Sequence, residues 1–215
     1  DYVFVLDISG SMGDDGKLAT SKESIAAFVR TLGPDDHFEI VAFNVQPAPL
    51  FGALQPATAD SLSRADAFLA TQAARGGTTL NPAMTTAYRY SRADRPLNVV
   101  ILSDGLTEQT ERQELLGLIQ ARPRNARVFC IGVGNDVNRP LLDQLADDSG
   151  GLAAFVSRAD DFDRQAQAFR RKLTRPVATA PELTISGVAV YDVEPAVLPN
   201  LYHGAPIRVY GRYKA

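Results

Sequence analysis

The sequence predicts a doubly wound α/β fold, a mostly parallel sheet flanked by helices, followed by a small C-terminal β appendage. Three observations predict it. Tyr2–Leu6 and Leu97–Leu102 are apolar runs rich in β-branched residues, the pattern of strands buried on both faces. Each run ends in a polar loop that carries an aspartate, Asp7 and Asp104. Strand-like and helix-like segments then alternate as far as Leu173, after which helical periodicity stops.

The first strand leads into Asp7-Ile8-Ser9-Gly10-Ser11-Met12-Gly13-Asp14-Asp15-Gly16-Lys17. Asp7, Ser9 and Ser11 alternate with other residues and offer one carboxylate and two hydroxyls. Such oxygen donors suit a hard cation such as Mg²⁺. Gly10, Gly13 and Gly16 let the chain turn tightly around such a centre. Lys17–Leu32 follows as a helix, with Leu18, Ile25, Phe28, Val29 and Leu32 at helical spacing and Gly33-Pro34 as its stop. His37–Asn44 alternates as a strand. Gln46–Leu54, interrupted by Pro47 and Pro49, is expected at an edge. Asp60–Ala74 is a helix ended by Gly76-Gly77, and a further helix runs from about Pro82 to Arg92.

After the Leu97–Leu102 strand, Glu108–Arg122 reads as a helix, Val128–Val133 as a strand and Arg139–Ser149 as a helix closed by Gly150-Gly151. Leu152–Val156 is a short strand and Asp160–Leu173 a last helix. Crossovers are expected to be right-handed. If the Tyr2–Leu6 and Leu97–Leu102 runs are parallel strands, Asp7 and Asp104 leave the sheet at one edge, where open parallel sheets bind ligands. Beyond Arg175-Pro176 the pattern is β: Leu183–Val190 with an irregularity at Gly187, a turn-rich stretch, then Ile207–Tyr213.

Composition narrows the function classes. The 215 residues carry a net charge of −3, which implies no general attraction to nucleic acid or anionic lipid. No apolar run is long enough to span a bilayer. The single cysteine, Cys130, sits in an apolar strand and reads as a buried thiol. A phosphate-binding loop is a near miss: Gly10 and Gly16 have five residues between them, and Leu18 stands where a hydroxyl is needed. Asp7 lacks the second acid two residues on that would mark a phosphotransfer nucleophile. His37 and His203 are read as strand and turn residues. Arg122, Arg124 and Arg127, and the basic series Arg164, Arg170, Arg171, Lys172 and Arg175, are read as solvated faces, not interleaved with aromatics.

The Asp-x-Ser-x-Ser stretch resembles the metal-ion-dependent adhesion site of von Willebrand factor A domains. Gly76-Gly77-Thr78-Thr79 resembles that family's threonine loop and Leu102-Ser103-Asp104-Gly105 its aspartate loop. The resemblance covers residues 1 to about 175, with 176–215 as the β extension. It implies a non-enzymatic, cation-dependent protein-binding module. Ser9, Ser11 and Thr78 would ligate Mg²⁺ (or Mn²⁺ or Ca²⁺) directly, and Asp7 and Asp104 directly or through water. The implied partner is a protein offering an Asp or Glu carboxylate. Asp14 and Asp15 match the acidic pair that holds a second ion, Ca²⁺, in integrin β subunits; the simpler alternative is a pair of surface acids before a helix. Two rival readings are a Mg²⁺-dependent phosphoryl-transfer enzyme on the same sheet type and a purely structural metal site in an assembly protein.

Gly76-Gly77-Thr78, Asn81-Pro82-Ala83-Met84 and the tail Leu198-Pro199-Asn200-Leu201-Tyr202-His203-Gly204 further resemble the inter-alpha-trypsin inhibitor heavy chain group, including its bacterial secreted members. This resemblance implies an extracellular, periplasmic or cell-surface location. In that group a β domain precedes the A domain, so the tail is expected to complete a β layer with strands from upstream residues.

Overall fold

The computed structural model describes residues 1–105, 113, 114, 116–118, 122–135, 137–157, 164, 169, 177, 178, 181–194, 198, 200–202 and 207–213. The chain divides into two compact units, Asp1–Arg170 and Arg171–Ala215.

The first unit is built on a seven-stranded sheet. Its strands are β1 (Tyr2–Asp7), β2 (His37–Phe43), β3 (Pro47–Pro49), β4 (Gln55–Pro56), β5 (Leu97–Ser103), β6 (Ala126–Val133) and β7 (Ala153–Val156). Their order is β3-β2-β1-β5-β6-β7, with β4 also pairing β2. β1 pairs in parallel with β2 on one side and β5 on the other. β5–β6 and β6–β7 are parallel too. The two short proline-bearing strands pair antiparallel with β2 at the edge, as expected of residues that cannot donate to an interior ladder.

All six residues of β1 and all seven of β5 are buried, which accounts for their unbroken apolar runs. Alternate side chains serve the two faces. Val3, Val5, Val41, Phe43, Val99 and Ile101 join one core cluster with Ala83, Met84 and Ala87 of helix α3 (Leu80–Tyr88) and Leu141, Leu142 and Leu145 of helix α4 (Arg139–Asp148). The opposite face is aromatic. Phe28 of helix α1 (Lys17–Arg30) meets Phe4 edge-on at 5.1 Å and Tyr2 at 5.6 Å, with Phe169 beyond at 6.4 Å. Each such buried side chain stabilises by about 1.5–3 kcal/mol through apolar burial, and the edge-to-face rings add to it.

Helix α2 (Ala59–Thr71) opens on a capping box, Thr58 and Ser61 each accepting from the other's backbone N–H. It stops three residues before Ala74, its expected end, because the Arg75 N–H is given to the Ile8 carbonyl at 2.8 Å. α3 starts at Leu80 and ends at Tyr88, earlier at both ends than its expected span, with Thr79 at the N-cap. The expected helices over 108–122 and 160–173 lie largely outside the described residues; residues 113, 114, 116–118, 164 and 169 in them are helical.

In the second unit, β8 (Val190–Glu194) and β9 (Tyr210–Tyr213) form an antiparallel pair. Its register slips between Tyr191 and Glu194, where Asp192 adopts a φ of 50°. The expected strand from Leu183 is a correction: Leu183–Ala189 is not strand, and Leu183, Ile185 and Val188 are exposed. Alternation of apolar residues signals a strand only where a neighbour supplies the hydrogen bonds and a core receives one face.

Candidate metal centre

The strand order reverses at β1, which has β2 on one side and β5 on the other. A crevice at such a point, outside the carboxyl ends of the strands, is where open α/β sheets hold ligands. Asp7 closes β1 there and is fully buried. Its Oδ1 accepts the Ser9 N–H at 2.8 Å and its Oδ2 accepts the Ser103 hydroxyl at 2.7 Å. Burial holds the Asp7 carboxyl above the ordinary range; the Ser9 and Ser103 hydrogen bonds oppose this, and the Asp104 charge adds to it. Ser103 in turn accepts the Gly105 N–H at 2.9 Å. One hydroxyl therefore ties the end of β1 to the aspartate loop.

Beyond Asp7 the chain forms a 3₁₀ segment, Gly10–Gly16, with Met12 buried beneath it as an anchor. The Ser9 and Ser11 hydroxyl oxygens lie 3.3 Å apart. The Gly10 N–H donates to the Gly76 carbonyl at 3.0 Å, and a Cβ at Gly10 would lie 3.2 Å from that oxygen. This close backbone approach sews the loop that carries half-buried Thr78 to the serine loop. Asn44, just past β2, organises the same loop. Its Oδ1 accepts the Val45 N–H at 2.7 Å, its Nδ2 donates to the Arg75 carbonyl at 3.2 Å, and its own carbonyl accepts the Thr79 N–H at 2.7 Å.

Asp104 follows β5 and is also fully buried. Its carbonyl accepts the Asn138 N–H at 2.9 Å, and its Oδ2 accepts from Lys17 Nζ at 3.0 Å. Lys17, Ser103 and Asn44 were not legible as site residues. Ser103 had one available signal, its place directly before Asp104 at a strand end. Lys17 had another: a cation at the first position of a helix, where the macrodipole favours anions.

Asp14 and Asp15 are exposed at the end of the 3₁₀ segment, and Asp15 has a left-handed backbone with φ 52°. Among the described residues there is no group of three or more His, Cys, Asp or Glu side chains that could hold a metal ion. The expected set is instead two carboxylates and three hydroxyls: Asp7, Ser9, Ser11 and Asp104 stand at the carboxyl ends of β1 and β5, and Thr78 lies in the loop that the Gly10–Gly76 hydrogen bond ties to them. Donors that are all oxygen and carry two negative charges fit a hard divalent cation that keeps some of its water. Elsewhere, Cys130 is fully buried and burial pushes its thiol up, so it is chemically quiet. His37 is half-buried at the start of β2, and His203 lies outside the described residues.

A family model described as von Willebrand factor type A domain matches residues 1–155. The human inter-alpha-trypsin inhibitor heavy chain H4 is 30% identical over 98% of this chain and 24% of its own length. The bovine heavy chain H3 is 26% identical over 98% of this chain and 25% of its length. The chain thus spans about a quarter of the length of the curated relatives it matches. Among solved structures, a von Willebrand factor type A protein from Catenulispora acidiphila superposes with a TM-score of 0.70 at 21% identity, covering 98% of this chain and 54% of that one. Manganese-loaded TRAP protein of Plasmodium vivax superposes with a TM-score of 0.64 at 15% identity, covering 98% of this chain and 92% of that one. These likenesses bear on the fold, and the fold, the loop order and the family match agree: the chain belongs to the von Willebrand factor type A domain family.

Proposed function

We propose that this chain is a divalent-cation-dependent, adhesion-type binding module that captures a partner's Asp or Glu carboxylate at the edge of its sheet. The family is in general a non-catalytic interaction fold, and the reading is of a binding protein rather than an enzyme. The observation that carries it is the buried Asp7 carboxylate, held by Ser9 and Ser103 and neighboured by Ser11 and Asp104 at the carboxyl ends of β1 and β5. Ser9, Ser11 and Thr78 would hold Mg²⁺ (or Mn²⁺ or Ca²⁺) directly, and Asp7 and Asp104 directly or through water. The ion supplies a Lewis-acidic position that a partner carboxylate can fill. Ser103 and Asn44 keep the three loops in register, and the surrounding surface would set which partner binds.

Asp14 and Asp15 are proposed to act as solvated acids ahead of α1 rather than as a second Ca²⁺ site; their exposure supports this. The tail likeness and a heavy-chain match over 98% of this chain support placing it in the heavy-chain-like group; that it is a bacterial member acting at the cell surface, in the periplasm or outside the cell is part of the same proposal. No described helix is long and apolar enough to cross a membrane. The test is twofold. Immobilised protein should retain Asp- or Glu-bearing ligands with Mg²⁺ or Mn²⁺ and release them to a chelator, and Asp7→Asn should lose both retention and cation-induced stabilisation. Retention indifferent to the chelator would overturn the reading.

A further inference from the structure

We propose that Lys17 is a built-in counter-cation of this site: it holds the metal-free edge together and sets its affinity for a divalent ion low. The inference rests on the reading above and adds a residue to it. Lys17 is the first residue of α1, and its side chain is 6% exposed. A buried ammonium at a helix N-terminus opposes the helix dipole and loses its hydration, so neither the helix nor burial accounts for it. What accounts for it is Asp104, whose fully buried carboxylate accepts from Nζ at 3.0 Å. The lysine stem runs along Gly134, just past β6, where a Cβ would stand 3.0 Å from Cε and 3.1 Å from Cγ. Gly134 has a φ of 104°, a conformation that favours glycine, and the absent side chain leaves the lysine its track. Three elements thus deliver one positive charge to an edge that otherwise buries two carboxylates, Asp7 and Asp104, side by side.

The consequence is a competition. Without a divalent ion, Lys17 offsets the repulsion between the two carboxylates. With one, the same ammonium repels the ion, and like charges a few ångströms apart in a buried site shift an equilibrium by about tenfold or more. Lys17 is therefore a positioning residue that trades metal affinity for a stable empty site, and it leaves the loaded site with net positive charge for a partner's carboxylate.

The experiment is calorimetric titration of the full chain with Mn²⁺, together with thermal unfolding without metal, for wild type, Lys17→Met and Lys17→Gln. The glutamine keeps a donor for Asp104 without the charge, and it stands in should the methionine variant fail to fold. Both variants should bind Mn²⁺ at least about tenfold more tightly and melt lower than wild type when metal-free. Binding by the variants alone would support the inference in its strongest form. Wild-type binding with equal or weaker binding by both variants would overturn it, leave the metal reading intact and reduce Lys17 to a packing role. No binding by any of the three proteins would overturn both.

Discussion

Asp7→Asn separates a metal ligand from a merely structural carboxylate. The asparagine amide oxygen can accept the Ser9 N–H that now goes to Oδ1, and its amide nitrogen can donate to Ser103 Oγ, which reverses its role. The buried charge beside Asp104 is removed at the same time. The metal-free stability of Asp7→Asn should therefore fall no more than about 1 kcal/mol below that of wild type, the net worth of one rearranged hydrogen bond, and should exceed it where the Asp7 carboxylate is ionised. Asp7→Ala differs, because it strands the Ser9 N–H and the Ser103 hydroxyl at a cost of about 1–3 kcal/mol each. Cation binding tells a different story. At free Mg²⁺ or Mn²⁺ about 100 times its Kd, binding to the native state adds about 2.7 kcal/mol. At about 2–4 °C per kcal/mol for a chain of this size, that raises the wild-type Tm by about 5–11 °C. At neutral pH Asp7→Asn should start from a metal-free Tm at or above that of wild type and show none of this rise. The assay is thermal unfolding by circular dichroism across a cation titration. An asparagine variant that keeps the full wild-type rise would refute the assignment of Asp7 as a ligand.

The pH dependence has a definite sign. The Asp7 carboxyl is held above its unfolded value of 3.8, so its contribution to metal-free stability is fully present below 3.8 and lost as pH rises through the raised folded value. Metal-free wild type should lose Tm relative to Asp7→Asn as pH rises from below 3.8 to neutrality, and parallel curves would count against the shift. Gly151→Ala should abolish folding, because a Cβ there would lie 1.7 Å from the Val128 carbonyl oxygen in the middle of the β6 strand path; soluble, cooperatively unfolding alanine variant would contradict the geometry. Deleting Pro181–Ala215 should leave cooperative unfolding intact, since the sheet and its flanking core lie within Asp1–Arg170; loss of a sharp transition would place the boundary elsewhere. Asp14→Asn/Asp15→Asn should give the same single calorimetric event with Ca²⁺ as wild type, and a wild-type event missing from the double variant would reveal a second site.

What the sequence disclosed and what it hid divide along one physical line. β1 and β5 were legible because burial on both faces demands an apolar residue at every position, and Asp7 and Asp104 were legible because they break those runs. Helix α1 showed itself through Ile25, Phe28 and Val29, and the closure of α4 through Gly150, whose φ is 69°. All of these are signals carried by near neighbours in the chain. The hidden residues are polar groups whose partners are remote. Lys17 and Asp104 are 87 residues apart, Ser103 and Asp7 are 96 apart, and Asn44 reaches Arg75 across 31. Glu39 is hidden in the same way: it is buried inside β2 and accepts the Phe51 N–H at 3.0 Å from the edge loop. A lysine or a glutamate alone reads as solvated, because its burial is tolerated only where a partner waits, and spacing along the chain carries no trace of that partner. The apolar residues Leu183, Ile185 and Val188 mislead for the converse reason: their pattern is local, but no strand pairs with them among the described residues. The oxygens proposed as metal donors lie in motifs that spacing along the chain displays, whereas the groups that bond to Asp7 and Asp104 from remote positions required the fold. That is why the proposed control of the site's affinity falls to Lys17, a residue outside the motif that marks it.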